Sequence, residues 1–175
     1  GTGINTDMRY SRLAIGHLSR LSDLALEPAP NLIEATQDCG AFVQLSGVLK
    51  RVASKLSKTC HDLRLLSSGP QAGFNEIHLP PRAAGSSIMP GKVNPIIPEV
   101  VNQIAFEVIG NDVTITMAAE SGQLQLNAFE PIIAHSLFKS IEHLAAGCRT
   151  LTAHCVQGIT ANRELLAELV GSLEV

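Results

Sequence analysis

The segment Pro98-Glu99-Val100-Val101-Asn102-Gln103-Ile104-Ala105-Phe106-Glu107-Val108-Ile109-Gly110-Asn111-Asp112-Val113-Thr114-Ile115-Thr116-Met117-Ala118-Ala119 decides how this chain folds. Val101, Ile104, Val108 and Ile115 recur at helical spacing. The segment therefore reads as a long helix that begins near Pro95 or Pro98 and ends about Ala119. Thr114, Ile115 and Thr116 lower its intrinsic helix propensity, a deficit that packing can override. Its charges say more than its period. No Lys or Arg occurs between Lys92 and Lys139, and the helix carries Glu107, Asp112 and Glu120 with little else charged. A helix facing water carries polar and charged residues on its outer side. This one is expected to be covered on most sides.

Outward from it, two more long helices are predicted. On the N-terminal side, Cys39, Phe42, Leu45, Leu49, Val52, Leu56, Cys60 and Leu63 recur every three or four residues. The pattern predicts one helix from Leu32 to about Leu66, with Asn31 as its N-cap, near 50 Å long at 1.5 Å per residue. On the C-terminal side, Phe129, Ile133, Leu137, Ile141, Leu144, Cys148, Leu151 and Cys155 predict a helix from about Asn127 to Gln157, ended by Gly158. A shorter helix is expected from Asp7 to about Leu24, and another after Thr160 as cap. The fold class is all-α, a long-helix bundle. Three such helices in 175 residues do not easily cover one another, so missing segments, other subunits, or both are expected to complete the bundle. A free three-helix domain with unusually apolar surfaces is the alternative.

Composition excludes several functions. The formal net charge is −3 and aromatic content 3%, with no Trp. A nucleic-acid surface would want a basic footprint and stacking rings. No apolar run reaches the roughly 18 residues of a membrane span. Cys39, Cys60, Cys148 and Cys155 form no Cys-x-x-Cys pair and read as core thiols, which suits a reducing cytoplasm. The histidines lack metal-binding spacing, and no metal or other cofactor is expected. The opening Gly1-Thr2-Gly3-Ile4-Asn5-Thr6 has no initiator Met, and the chain is expected to be a fragment of a longer protein.

Residues 67–94 hold no sustained period, and a loop this long in a compact protein is usually functional or disordered. It leads into Gly85-Ser86-Ser87-Ile88-Met89-Pro90-Gly91-Lys92-Val93-Asn94-Pro95. Two hydroxyls, a cation and an amide fall together, spaced by Gly and Pro. Gly, Ser and Pro are also ordinary turn residues. Lys92 also reads as a solvated cation, Asn94 as an N-cap and Glu99 as a first-turn acid.

The whole string resembles the signature of the aspartase/fumarase superfamily of lyases, Gly-Ser-Ser-x-Met-Pro-x-Lys-x-Asn-Pro, with every fixed position present. The resemblance continues through nearly all of the chain. Leu32-Ile33-Glu34-Ala35-Thr36-Gln37-Asp38-Cys39-Gly40, Phe74-Asn75-Glu76-Ile77-His78-Leu79-Pro80 and Met117-Ala118-Ala119-Glu120-Ser121-Gly122-Gln123-Leu124-Gln125-Leu126-Asn127 are similar to the aspartase branch rather than the fumarase branch. The resemblance implies a lyase that reversibly removes ammonia from L-aspartate to give fumarate. It further implies a homotetramer whose active sites draw on several subunits. A fumarate hydratase and a non-catalytic helical oligomer are the alternatives.

The resemblance also assigns residues. Ser86 is the base that takes a proton from the carbon beside a carboxylate. Ser87, Lys92 and Asn94 bind the dicarboxylate, and Glu99 orients a histidine from elsewhere in the protein. The reaction builds a doubly charged aci-carboxylate, which donors already in place must stabilise. The superfamily's other two motifs, including a Thr-His pair, have no counterpart in this chain, so the chain alone is expected to be inactive. By the same likeness, residues 1–157 are the C-terminal portion of the central helical domain, with the signature loop at 67–94. Residues 158–175 are the start of a small C-terminal domain.

Overall fold

The computed structural model describes residues 1–83, 85, 88, 89 and 91–172. The fold is all-α apart from one two-stranded ribbon. Helices α1 (Met8–Ser22), α2 (Leu32–Gln37), α3 (Gly40–Leu66), α4 (Ile96–Glu120), α5 (Glu130–His154) and α6 (Arg163–Gly171) follow in order. Strands β1 (Ile77–His78) and β2 (Thr160–Ala161) pair antiparallel, with Ile77 opposite Ala161 and His78 opposite Thr160. Helix α4 lies between α3 and α5, which touch each other little.

The central position of α4 follows from its sequence. Pro98, Val101, Ala105, Val108, Asp112 and Ile115 are buried along it, a three-four alternation that keeps one seam facing its neighbours. Helix α3 presents small side chains to it, and α5 alternates large and small ones. Ser46, Ala53, Ser57 and Cys60 are the buried residues of α3. On α5, Ile133, Ser136, Leu137, Ser140, Leu144, Gly147 and Leu151 are buried. At Gly147 a Cβ would stand 3.1 Å from Ile104 Cδ1, so glycine there lets α5 lie close to α4. Three clusters stack along this seam. Cys39, Ile115, Ile133 and Leu137 sit at one end, Ala53, Ala105, Val108 and Leu144 in the middle, and Cys60, Leu79, Val101, Leu151 and Cys155 at the other.

Polar groups cross the seam in pairs. Buried Asp112 accepts from Ser46 Oγ at 2.8 Å and from Lys50 Nζ at 2.5 Å, tying α4 to α3. Asn102 donates through Nδ2 to the Ser57 carbonyl at 3.0 Å and to Ser57 Oγ at 2.9 Å. Between α4 and α5, Glu107 meets Lys139 and His143, each at 2.5 Å. These carboxylates explain how a cation-free helix holds negative charge: the cations come from α3 and α5.

Several expectations are corrected. The predicted helix from Leu32 is broken by Asp38 and Cys39, both non-helical; Asp38 Oδ1 accepts from the Gly40 N–H at 3.0 Å and restarts the chain as α3. Asn31 does cap α2, accepting from the Ile33 and Glu34 N–H groups. The apolar stripe of α3 is rotated from its buried face, and Phe42, Leu45 and Val52 remain exposed. Helix α5 starts at Glu130, because Asn127 is spent on the preceding turn: its Nδ2 donates to the Ala118 and Ala119 carbonyls and its Oδ1 accepts from Phe129 N–H. The far end of α5 passes into a 3₁₀ turn, Val156–Gly158, before β2. Asn162, not Thr160, caps α6. Cys39, Cys60 and Cys155 are core thiols, and burial pushes Cys60 up to about 11; Cys148 is exposed, since the buried row of α5 runs through Leu144, Gly147 and Leu151. Among the described residues no helix is long and apolar enough to cross a membrane.

Candidate active site

The segment from α3 to α4 is held at its root by backbone bonds. The Asn75 and Glu76 N–H groups donate to the Ser68 and Leu66 carbonyls at 2.8 and 2.9 Å, folding the chain back on the end of α3. Asn75 takes a positive φ of 49° and Gly69 one of 138° in this turn. From there β1 runs against β2, and Asn162 adds a bond from its N–H to the Glu76 carbonyl at 2.9 Å. A loop of irregular sequence is thus anchored on two helix ends, which is how loops carry defined chemistry.

The signature segment then doubles back. A Cβ at Gly85 would clash with the Lys92 carbonyl oxygen, so glycine suits the place where the two arms of the loop meet. The Lys92 N–H donates to the Met89 carbonyl at 3.2 Å, and Gly91 has φ 79°. Lys92 is half-buried and lines a cleft of about 370 Å³ with Gly69, Pro70, Gln71, Ala72, Ile88 and Met89. Ser86 and Ser87 lie outside the described residues.

Asn94 lies apart from that cleft. It lines a narrow crevice with Arg82, Pro95, Ile97 and His154. Its side chain does not cap α4; Pro95 is the cap residue, and the Asn94 carbonyl accepts from Ile96 N–H at 2.9 Å. The N-cap alternative therefore falls, because Pro95 occupies the cap position itself. Within this chain, then, Lys92 and Asn94 line different clefts. Glu99, in the first turn of α4, faces Arg64 of α3 with Oε1 3.7 Å from Nη2. Arg64 also reaches Asn102 Oδ1 at 3.5 Å through Nη1, while its Nε is buried without a hydrogen-bond partner among the described residues.

The model of a family described as lyase matches residues 1–110. An aspartate ammonia-lyase from Pseudomonas aeruginosa is 63% identical over 97% of this chain and 36% of its own length. The chain belongs to the aspartase/fumarase superfamily of lyases. An aspartate ammonia-lyase from Escherichia coli K12 is 59% identical over 94% of this chain and 34% of its own. A fumarate lyase:delta crystallin structure from Brucella melitensis superposes with a TM-score of 0.87 at 56% identity, over 94% of this chain and 36% of that one. A class II fumarase from Schistosoma mansoni gives 0.85 at 36% identity, over 96% and 38%. This superfamily member spans about a third of the length of the curated relatives it matches.

Sequence reading passed over some residues around the site. Arg64 lies on α3 at a position that periodicity treats as surface, and only the packing of α3 on α4 brings it to Glu99 and to Asn102, one turn further along α4. Arg82 follows two prolines in an irregular stretch, and its bond to the end of α5 spans 72 positions.

Proposed function

We propose that this chain is part of an aspartate ammonia-lyase, which reversibly converts L-aspartate to fumarate and ammonia. The observation that carries the reading is identity of 59–63% to aspartate ammonia-lyases over nearly the whole chain, against 36% to a class II fumarase. The unbroken signature at Gly85–Pro95 supports the same reaction. Ser86, activated as an oxyanion, removes the C3 proton. The electron pair moves into the adjacent carboxylate as an aci-carboxylate, then forms the C2–C3 double bond as ammonia departs from C2. A hydroxyl is a weak base unless positive charge stabilises its deprotonated form, and Lys92, whose backbone carbonyl lies against Gly85, is the cation that the signature supplies.

Ser87, Lys92 and Asn94 bind the substrate carboxylates. Glu99 orients a histidine supplied from outside this chain and shares its charge with Arg64. The clefts beside Lys92 and Asn94 are open in this chain, which leaves room for other surfaces to complete the site. A homotetramer with shared active sites supplies them, and the chain alone is inactive. The exposed Phe106, Val113 and Met117 of α4 and Phe138 of α5 support such an assembly. Residues 1–157 belong to the central helical domain, and residues 158–175 begin a small C-terminal domain.

The test is turnover by the full-length protein, followed by the ultraviolet absorbance of the conjugated diacid. Fumarate should form from L-aspartate and not from malate. Turnover of malate alone would make the protein a fumarate hydratase; no turnover and no dicarboxylate binding would leave a non-catalytic helical oligomer.

A further inference from the structure

The described part of the signature loop is seated on the segment that follows α5. Three contacts lie in register along the chain. β1 pairs with β2. Two residues on, Pro80 packs so closely on Gly158 that a Cβ there would stand 2.5 Å from Pro80 Cγ. Two residues further, Arg82 Nε donates to the His154 carbonyl at 3.1 Å. His154 is the last residue of α5. Its carbonyl is among the four that a helix end leaves without intrahelical partners, at the negative end of the helix dipole. A guanidinium is suited to that place by charge and by donor geometry.

Arg82 precedes Gly85 by three residues, and Gly85 lies against the Lys92 carbonyl. Two described contacts, Arg82 on the end of α5 and Gly85 on the Lys92 backbone, thus lie three residues apart in the sequence. We propose that Arg82 is a positioning residue for Lys92, clamping the entry of the signature loop to the C-terminus of α5. It acts through the backbone at Gly85 and touches no substrate. The inference rests on the role given to Lys92 above for its kinetic consequence, and on geometry alone for the clamp.

Two measurements on the full-length protein test it. The first is cleavage after Lys92 by a lysine-specific protease, which is indifferent to loss of the arginine. Arg82→Ala should speed that cleavage about tenfold at an unchanged melting temperature, and Arg82→Gln, which keeps a side-chain N–H donor at the helix end and adds no cleavage site, should restore much of the protection. Equal cleavage in wild type and Arg82→Ala, or faster cleavage matched by a general loss of stability, overturns the clamp. This arm reads the same whatever the substrate. The second is steady-state kinetics with L-aspartate. Arg82→Ala should lower kcat/KM about tenfold with most of the loss in kcat, because Lys92 stabilises charge that develops during the reaction, and Arg82→Lys should restore it. A rise in KM at constant kcat, or no change, overturns the link to Lys92. Wild-type protein that lacks turnover with aspartate would instead overturn the proposed function, leaving the protease result to decide the clamp.

Discussion

Asp112 is the residue on which the seam between α3 and α4 turns. Burial pushes its carboxyl upward, yet the hydrogen bonds from Lys50 and Ser46 outweigh that and hold it below the usual carboxylate range. Removing the carboxylate leaves the buried Ser46 hydroxyl unpaired and Lys50 facing a void. Asp112→Ala should cost about 2 kcal/mol, read as a lower midpoint in urea with an unchanged slope. A loss under about 0.5 kcal/mol, typical of an exposed ion pair, would show that the bonds add nothing. At the signature loop, Ser86→Ala should lower kcat by about three orders of magnitude or more, since a base acts as part of a unit. Near-normal activity would exclude Ser86 as the base. Lys92→Met should reduce kcat/KM about a hundredfold through lost stabilisation of the developing dianion.

At the scale of elements, the turn from α4 to α5 depends on one side chain. Asn127 satisfies two carbonyls at the end of α4 and one N–H at the start of α5. The tip itself is strained: Leu124 has φ 52°, and the Gln123 and Leu126 backbones bond to each other. Asn127→Ala should cost about 1–3 kcal/mol. Amide exchange should then quicken at both helix ends while the middle of α4 stays protected. Uniform acceleration would mean that the turn and the seam unfold as one. The same scale explains the rotated face of α3. Close approach of two helices favours small residues at the contact, so Ser46, Ala53 and Ser57 take the seam. The larger Phe42, Leu45 and Val52 lie outside it.

For the whole molecule, acid is the informative variable. Hydrogen bonds from Lys139 and then His143 lower the pKa of Glu107, and Asp112 is lowered as described above. Both carboxyls have folded values below their unfolded ones, so they add stability above about pH 4, the ordinary carboxylate range, and lose it as pH falls through the folded values. The melting temperature should change little from pH 7 to 5 and drop below pH 4, and Asp112→Asn should flatten that drop. An identical acid profile in the variant would remove Asp112 from the account. Much of the architecture was legible in the chain before folding. Long periods of three and four define α3, α4 and α5 because burial of an apolar stripe is a local pattern. The signature points to the superfamily because residue types and spacing are enough to match it. What tertiary structure alone decided is which face of each helix is buried, where Asp38 and Cys39 interrupt a continuous period, and that Arg82 meets the end of α5. Those outcomes depend on how closely helices approach and on which distant carbonyls remain unpaired, and neither is written in the spacing of neighbouring residues.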